Sequence, residues 1–487
     1  MANVTFPFPF PANMEILLPE IIIAVMAMVI LLFDLFVSKE KKQISAWLAI
    51  AACIAAAITT VNVTGSESMM TFYGFFVQDY FAAFTKLLML AATVFGIILS
   101  LDYMKEETNI GEYYALMLFA LLGMMLMVSA TNFITMYLGV ELMALSVYVL
   151  VGYQRDVLRS SEAALKYFIL GSLSSGMLLY GISFLYGTTG NFDFNLIGEA
   201  LANNDDSART ATLVGMLFVL AGMAFKVSVA PFHMWTPDAY EGAPTPVTAF
   251  MSVGPKVAGF AILMRILVDA MPALEHDYVT ILLWMAVLSL AVGNIAAIAQ
   301  RNIKRMMAYS TIGHVGFVLL GLIAASPEGY AAILLYMTIY LFMTMGTFAI
   351  IILMRRDGIQ GELLDDFAGM SKVRPGYALA MGLMMFSLAG IPFLGGFWAK
   401  FAVIAAVIDA GHLYLGLAAI MFSAIGAFYY IRVVKYIYFD EERVAFNFSD
   451  NVLMKATVAL TTIIIVGIGI YPNPVMDVCR MALAGLV

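Results

Sequence analysis

Apolar runs close to ~20 residues long recur from one end of the chain to the other, and this leaves few folds open. A helix of that length crosses the hydrocarbon of a bilayer while keeping its backbone hydrogen bonds internal. Of the 487 residues, 63% are hydrophobic and 12% charged, and the mean hydropathy is +0.93, outside the range of water-soluble domains. Spans are predicted at 15–37, 44–61, 80–101, 114–129, 132–152, 163–187, 211–232, 245–268, 279–299, 303–325, 329–354, 376–408, 413–437 and 452–472. The expected fold is all-α and integral to the lipid bilayer, with about fourteen transmembrane helices and no stretch left for a soluble catalytic domain.

Met1 to Asn13 carries no basic region, and the first apolar run, Leu17 to Phe36, is too long for a signal-peptide core, so a retained helix is expected. Cys53 and Cys479 stand alone, with no CxxC pair and no Cys/His cluster at metal-ligand spacing. A P-loop and a GxGxxG following a strand are both missing. The chain is therefore expected to carry no iron–sulfur cluster, haem, zinc or nucleotide, and to bind no nucleic acid. The net charge of −8 says little about partners, because the charge is confined to short loops.

Orientation follows from Lys and Arg in the connections, since positive loops stay cytoplasmic. The odd-numbered connections hold Lys39, Lys41 and Lys42, then Lys105, then Arg155 and Arg159, then Arg301, Lys304 and Arg305. The series continues with Arg355, Arg356, Lys372 and Arg374, and with Arg432, Lys435, Arg443 and Lys455; the even connections and tails hold Arg209 and Arg480. Both termini are expected in the periplasm. Pro237 to Pro244, a cytoplasmic connection without Lys or Arg, is placed by alternation alone.

Leu220 to Phe225 (LAGMAF) in the seventh span resembles Leu388 to Phe393 (LAGIPF) in the twelfth, five helices away and so in the opposite orientation. That is the trace of an inverted repeat. The division expected is 1–113 for helices 1–3, 114–270 for the first five-helix repeat, 271–438 for the second and 439–487 for the last helix. Pro231, and Pro392 with Gly395 and Gly396, are expected to break helices 7 and 12, which lipid tolerates where protein or water satisfies the freed groups.

Ionisable residues within spans carry the most functional information, because charge in hydrocarbon is costly. Glu141 is central in the fifth span. Lys226 precedes the Pro231 break, Lys400 follows the Pro392 break, and Lys256 is near the middle of the eighth span. Lys166 lies a few residues into the sixth span. His233 and His314 are suited to relaying protons, since imidazole changes charge near neutral pH. Lys86, at the start of the third span, is read as interfacial. Glu141, Lys166, Lys226, Lys256, His314 and Lys400 are expected at comparable depth along a hydrated path, with a carboxylate near a desolvated lysine able to switch it between holding and releasing a proton.

The run from Lys226 to Phe250, KVSVAPFHMWTPDAYEGAPTPVTAF, closely resembles the signature of the proton-pumping membrane subunits of complex I and the Mrp-type antiporters, and NIKRMMAYSTIGH from Asn302 to His314 resembles a second. The resemblance spans essentially the whole chain. It implies that the family's fifth-helix glutamate is Glu141, its seventh- and eighth-helix lysines Lys226 and Lys256, and its twelfth-helix lysine Lys400. M-type members carry glutamate at that last position and L-type members extend into a long lateral helix, so the pattern, together with Lys166, resembles the N-type branch. The resemblance further implies that NADH, FMN, iron–sulfur clusters and quinone belong to partner subunits, among them M-type and small K/J/A/H-type membrane-arm subunits. Glu141 and Lys226 would form the switching pair, Lys256 and His314 the relay, and Lys400 the gate to the periplasm. An Mrp-type cation/proton antiporter subunit and a purely structural membrane subunit are the alternatives.

Overall fold

In the computed structural model, residues 13–486 are described apart from 38–41, 66, 106, 108, 204–207, 356–360 and 442–450. Lys39, Lys41, Arg356 and Arg443 of the orientation argument, and residues 1–12, lie outside the described residues. Each predicted run is helical, with ends within a few residues of expectation. The first six spans are α1 (Leu18–Phe36), α2 (Ile44–Val63), α3 (Tyr80–Tyr103), α4 (Ile110–Val128), α5 (Phe133–Val151) and α6 (Leu158–Thr189). A short α7 (Phe194–Ala202) leads to α8 (Arg209–Val227), the seventh span, and to α9 (Trp235–Gly242), which follows its break. Then come α10 (Thr245–Arg265), α11 (Glu275–Ile298), α12 (Ile303–Ile323) and α13 (Pro327–Leu353). The one-turn α14 (Met370–Val373) precedes α15 (Pro375–Ala389) and α16 (Gly395–Asp409), which share the twelfth span. α17 (Leu413–Phe439), α18 (Val452–Ile470) and the C-terminal α19 (Asn473–Ala482) complete the chain. Among the described residues thirteen helices are long and apolar enough to cross a membrane; the fourteenth crossing is made by the two halves α15 and α16. The molecule is a multi-pass membrane protein.

Every residue of α10 is buried, as are nearly all of α12 and α13, so these three form the centre of the bundle. A hairpin that the all-helical expectation omitted, β1 (Met69–Thr71) paired antiparallel with β2 (Phe76–Gln78), closes the second connection.

The alternation of connections holds in the fold. Gln154 reaches Glu107 at 3.3 Å, Arg355 the Tyr103 carbonyl at 3.1 Å, and Arg159 and Lys304 meet at Glu362, at 3.2 and 2.9 Å. Odd connections therefore share one face. The Pro237–Pro244 connection joins them, because its Glu241 binds Arg159 at 2.5 Å and Arg305 at 2.8 Å. Its neutral-to-acidic sequence is balanced by cations from its neighbours. On the opposite face Val77 N–H donates to Ser129 at 2.9 Å, Asn132 bridges Asp193, and Arg209 pairs with Asp277 at 3.0 Å.

Lys86, expected to be interfacial, does not reach the surface of the protein. It is fully buried, with its ammonium 2.6 Å from Glu20 and donating to Gln78 at 2.6 Å, beside an Asp79–Arg265 ion pair at 2.8 Å. The start of α3 is covered by α1 and by the end of α10, and a lysine there needs a carboxylate brought from another helix.

Both expected helix breaks are present. α8 ends at Val227, five residues before the predicted limit, and Ser228 takes a left-handed conformation (φ 71°). At the end of α8 the Phe225 carbonyl accepts from Ser228 N–H at 3.1 Å and from the Trp235 indole at 3.0 Å, and Ala230 N–H donates to the Ser289 hydroxyl at 2.9 Å. In the twelfth span, Gly390 (φ 88°) ends α15, Gly396 N–H donates to the Ser387 hydroxyl at 3.0 Å, and the Lys400 ammonium donates to the Ala389 carbonyl at 2.9 Å. The LAG hexads do not mark equivalent points, since the first lies wholly within α8 and the second straddles the end of α15.

A Cβ at Gly396 would lie 1.8 Å from the Ser387 carbonyl oxygen, whereas one at Gly376 meets nothing within 4 Å. Gly396→Ala is expected to destabilise the detergent-solubilised chain by roughly 1–3 kcal/mol in denaturant titration, and Gly376→Ala to leave it unchanged.

Burial works against ionisation of Glu362, but Lys304, Arg159 and Asn302 together outweigh it and hold the carboxyl below its ordinary range. Stability from a carboxylate depressed in the fold is present above the unfolded value and lost as pH falls through the folded one. Glu362→Gln should lower the thermal midpoint at neutral pH, and the gap to wild type should close below about pH 4. A gap independent of pH would exclude the ion pair as its source.

Candidate functional site

At the first break three helices converge. α8 brings Lys226, 4% exposed, because its small residues pack closely on α6. Its ammonium lies 3.5 Å from the Glu141 carboxylate of α5 and donates to the Ser175 hydroxyl of α6 at 3.1 Å. Ser175 in turn donates to Glu141 in a close contact, and the Tyr148 hydroxyl stands 3.4 Å from the same ammonium. A proton can thus be held between lysine and carboxylate with a hydroxyl bridging them.

Lys256 of α10, 1% exposed, makes no salt bridge among the described residues. Its ammonium donates to the Met251 carbonyl at 3.2 Å and faces the rings of Trp235 and Tyr240, at 4.9 and 5.4 Å from their centroids. Beyond it, His314 of α12 contacts the Tyr336 hydroxyl at 2.6 Å through Nδ1 and the Tyr430 hydroxyl at 3.0 Å through Nε2. Ser310 closes on Tyr430, and Thr311 meets the Tyr340 hydroxyl at 2.8 Å. Lys400 of α16 donates to Ala389 and, at 3.0 Å, to the Ser423 hydroxyl of α17, over the Phe317 ring at 4.9 Å. It borders a cavity of about 680 Å³ that extends to Asp409.

Two residues expected in the row stand apart from it. The Lys166 side chain is 49% exposed and pairs with Glu162 at 2.8 Å and with Asp238 of α9 at 3.2 Å. It lies on the outer face of α6, one turn from Glu162, and joins the ionic network of the odd connections through Asp238 and Arg305. His233 is half-buried in the break between α8 and α9 and makes no ion pair or side-chain hydrogen bond to Lys226 or Lys256. Sequence reasoning missed Ser175, Tyr148, Tyr336, Tyr430 and Ser423. A serine or tyrosine in an apolar run carries no signal until its neighbouring helix is known. No three His, Cys, Asp or Glu side chains among the described residues could hold a metal.

The profile described as "NADH:quinone oxidoreductase/Mrp antiporter, TM" matches residues 130–426. NADH-quinone oxidoreductase subunit N of Thioalkalivibrio sulfidiphilus is 43% identical over 98% of this chain and 99% of its own length. That of Paramagnetospirillum magneticum is 44% identical over 96% of each. The chain belongs to the NADH-quinone oxidoreductase subunit N family. Among solved structures, a chain of respiratory complex I from Thermus thermophilus is 29% identical with a TM-score of 0.81, covering 94% of this chain and 99% of that one. A chain of the Mrp complex from Dietzia shares the fold of the subunit N family, with a TM-score of 0.83 at 20% identity.

For this subunit N family member, the bridge between Lys226 and Glu141 generates a prediction. Ser175→Ala removes a hydroxyl bonded to both charges, and hydrogen bonds to charged groups are worth ~1.5–3 kcal/mol. NADH-driven proton uptake by vesicles carrying the assembled complex is expected to fall about tenfold, with electron entry to an artificial acceptor unchanged. Unaltered uptake would remove Ser175 from the site.

Proposed function

We propose that this chain conducts protons across the bacterial inner membrane as the N-type membrane subunit of NADH:quinone oxidoreductase. NADH, FMN, the iron–sulfur clusters and quinone are handled by partner subunits, and M-type and small K/J/A/H-type membrane subunits are its neighbours. The observation that carries this reading is the Lys226–Ser175–Glu141 triad, buried beside a broken helix and followed by Lys256, His314 and Lys400 on α10, α12 and α16. Separating Glu141 from Lys226 withdraws the charge that favours the ammonium, and the proton is then released toward Lys256. His314 and its tyrosines pass it to Lys400, which opens to the periplasm.

The odd-connection face, which carries the lysines and arginines, is the cytoplasmic one, and both termini are periplasmic. The helices of 114–270 and 271–438 form two inverted repeats. A shared detail supports this: α4 and α5 touch through Gly123 and Gly139, where a Cβ would come within 2.8 Å of the facing backbone, and α11 and α12 touch in the same way through Gly293, at 2.3 Å. The Mrp-type antiporter reading has the same fold, but the full-length identity of 43% and 44% to subunit N relatives favours complex I.

The test is to tag the chain at its native locus, purify the complex gently, and compare wild type with Lys226→Ala in proteoliposomes. Inhibitor-sensitive NADH:quinone activity should copurify. Coupled pumping should fall by about 10²-fold in the variant, the low end of what a positioned proton-transfer group contributes. Normal pumping by a fully assembled variant would overturn the reading, and copurification with small membrane subunits alone would favour the antiporter.

A further inference from the structure

Among the described residues no carboxylate pairs with the enclosed Lys256, and what takes that place is aromatic. Trp235, 2% exposed at the start of α9, makes three contacts at once. Its indole N–H donates to the Phe225 carbonyl at the end of α8, one of its faces stacks on Tyr167 of α6 at 4.1 Å and 7°, and its ring lies 4.9 Å from the Lys256 ammonium. Tyr240, one α9 turn and a half further on, lies 5.4 Å from the same ammonium. Tyr167 in turn meets Tyr148 edge-on at 4.5 Å, and the Tyr148 hydroxyl is the neighbour of Lys226. The two lysines therefore sit at opposite ends of one run of rings.

We propose that Trp235, with Tyr240, is a positioning residue for Lys256: an aromatic clamp that favours the ammonium over the free amine where Lys226 uses a carboxylate. The proposal rests on the proton-conducting reading above. A cation over an indole face within about 6 Å is attracted by the ring quadrupole, most strongly when water is excluded. Because Trp235 also caps the end of α8, a shift of the broken segment around Lys226 moves the ring that holds the proton on Lys256. The titratable groups on the helices packed against α10 do not substitute for it. Lys86 of α3 is engaged by Glu20, Lys226 of α8 by Glu141 of α5, and His314 of α12 by Tyr336 of α13, while α4 presents Met124 to Gly254. Asp238 and Glu241 of α9 are paired with Arg305.

The experiment replaces Trp235 in the intact complex with mono-, di- and trifluorotryptophan by site-specific incorporation, which empties the ring face of negative charge while keeping its size and N–H. Proton pumping in proteoliposomes is read against pH. A weaker π-face releases the Lys256 proton at lower pH, so the alkaline limb of the profile should move acid-ward with each fluorine, by about one pH unit across the series. Trp235→Phe should fall between wild type and Trp235→Leu. An unmoved profile across the fluorinated series, or a uniform loss of rate without a shift, overturns the clamp and leaves Trp235 a packing residue. Lys256→Met is measured alongside: full pumping by that variant would instead defeat the proton-conducting role of Lys256 on which the clamp depends.

Discussion

A backbone interrupted inside hydrocarbon must find partners for the groups it frees, and much of this molecule follows from how two interruptions meet that demand. At the first, the Trp235 indole and the Ser289 hydroxyl take up groups from around the end of α8. At the second, the Ser387 hydroxyl takes the Gly396 N–H, and the Lys400 ammonium itself takes the Ala389 carbonyl. The need is mutual in that second case. A buried ammonium requires acceptors and a broken helix has carbonyls to spare, so placing a lysine within two turns of a break satisfies both.

Lys226, Lys256 and Lys400 are nevertheless compensated by three different sets of neighbours. Lys226 has a carboxylate, two hydroxyls and the Tyr148 ring, Lys256 a carbonyl and two ring faces, and Lys400 a carbonyl, a hydroxyl and one ring face. Charge separation is available at the first alone, because Glu141 is the one carboxylate of the set and remains partly exposed. A row of identical sites would hold protons equally and give no direction; a graded row with one ionic switch at its start can.

The spans, their alternation and both breaks were legible because they depend on local facts: run length, loop charge, and Pro or Gly within an apolar segment. That Lys226, Lys256, His314 and Lys400 lie within helices was legible for the same reason, and all four are buried in the protein. Facing was not. Lys166 and Ser175 are on one helix, yet the first lies outward with Glu162 and the second inward against Glu141, and the apolar sequence around them gives no amphipathic contrast to separate the two. Lys86 failed for a related reason, since its partner Glu20 is two helices earlier in the chain. The β1–β2 hairpin was missed because two three-residue strands leave no periodicity to read.

α10 carries Lys256 and is held at both ends by ions contributed from elsewhere. Arg265, its last residue, is locked to Asp79 at 2.8 Å, while Lys304 of α12 donates to the Ala243 carbonyl, just ahead of its first turn, at 2.7 Å. With every residue between them buried, sliding or tilting α10 would break a buried ion pair or open a packed interface, and such pairs are costly to break. Movement at Lys256 is thereby confined to its side chain and to what packs over it. That covering element is α9, eight residues long, joined to α8 by an irregular segment and fastened at its far end by Arg159 and Arg305 on Glu241. α9 is thus held in two ways, by its buried Trp235, Ala239 and Tyr240 where it covers Lys256 and by partly exposed ion pairs at Glu241, and the second of these is the cheaper to release.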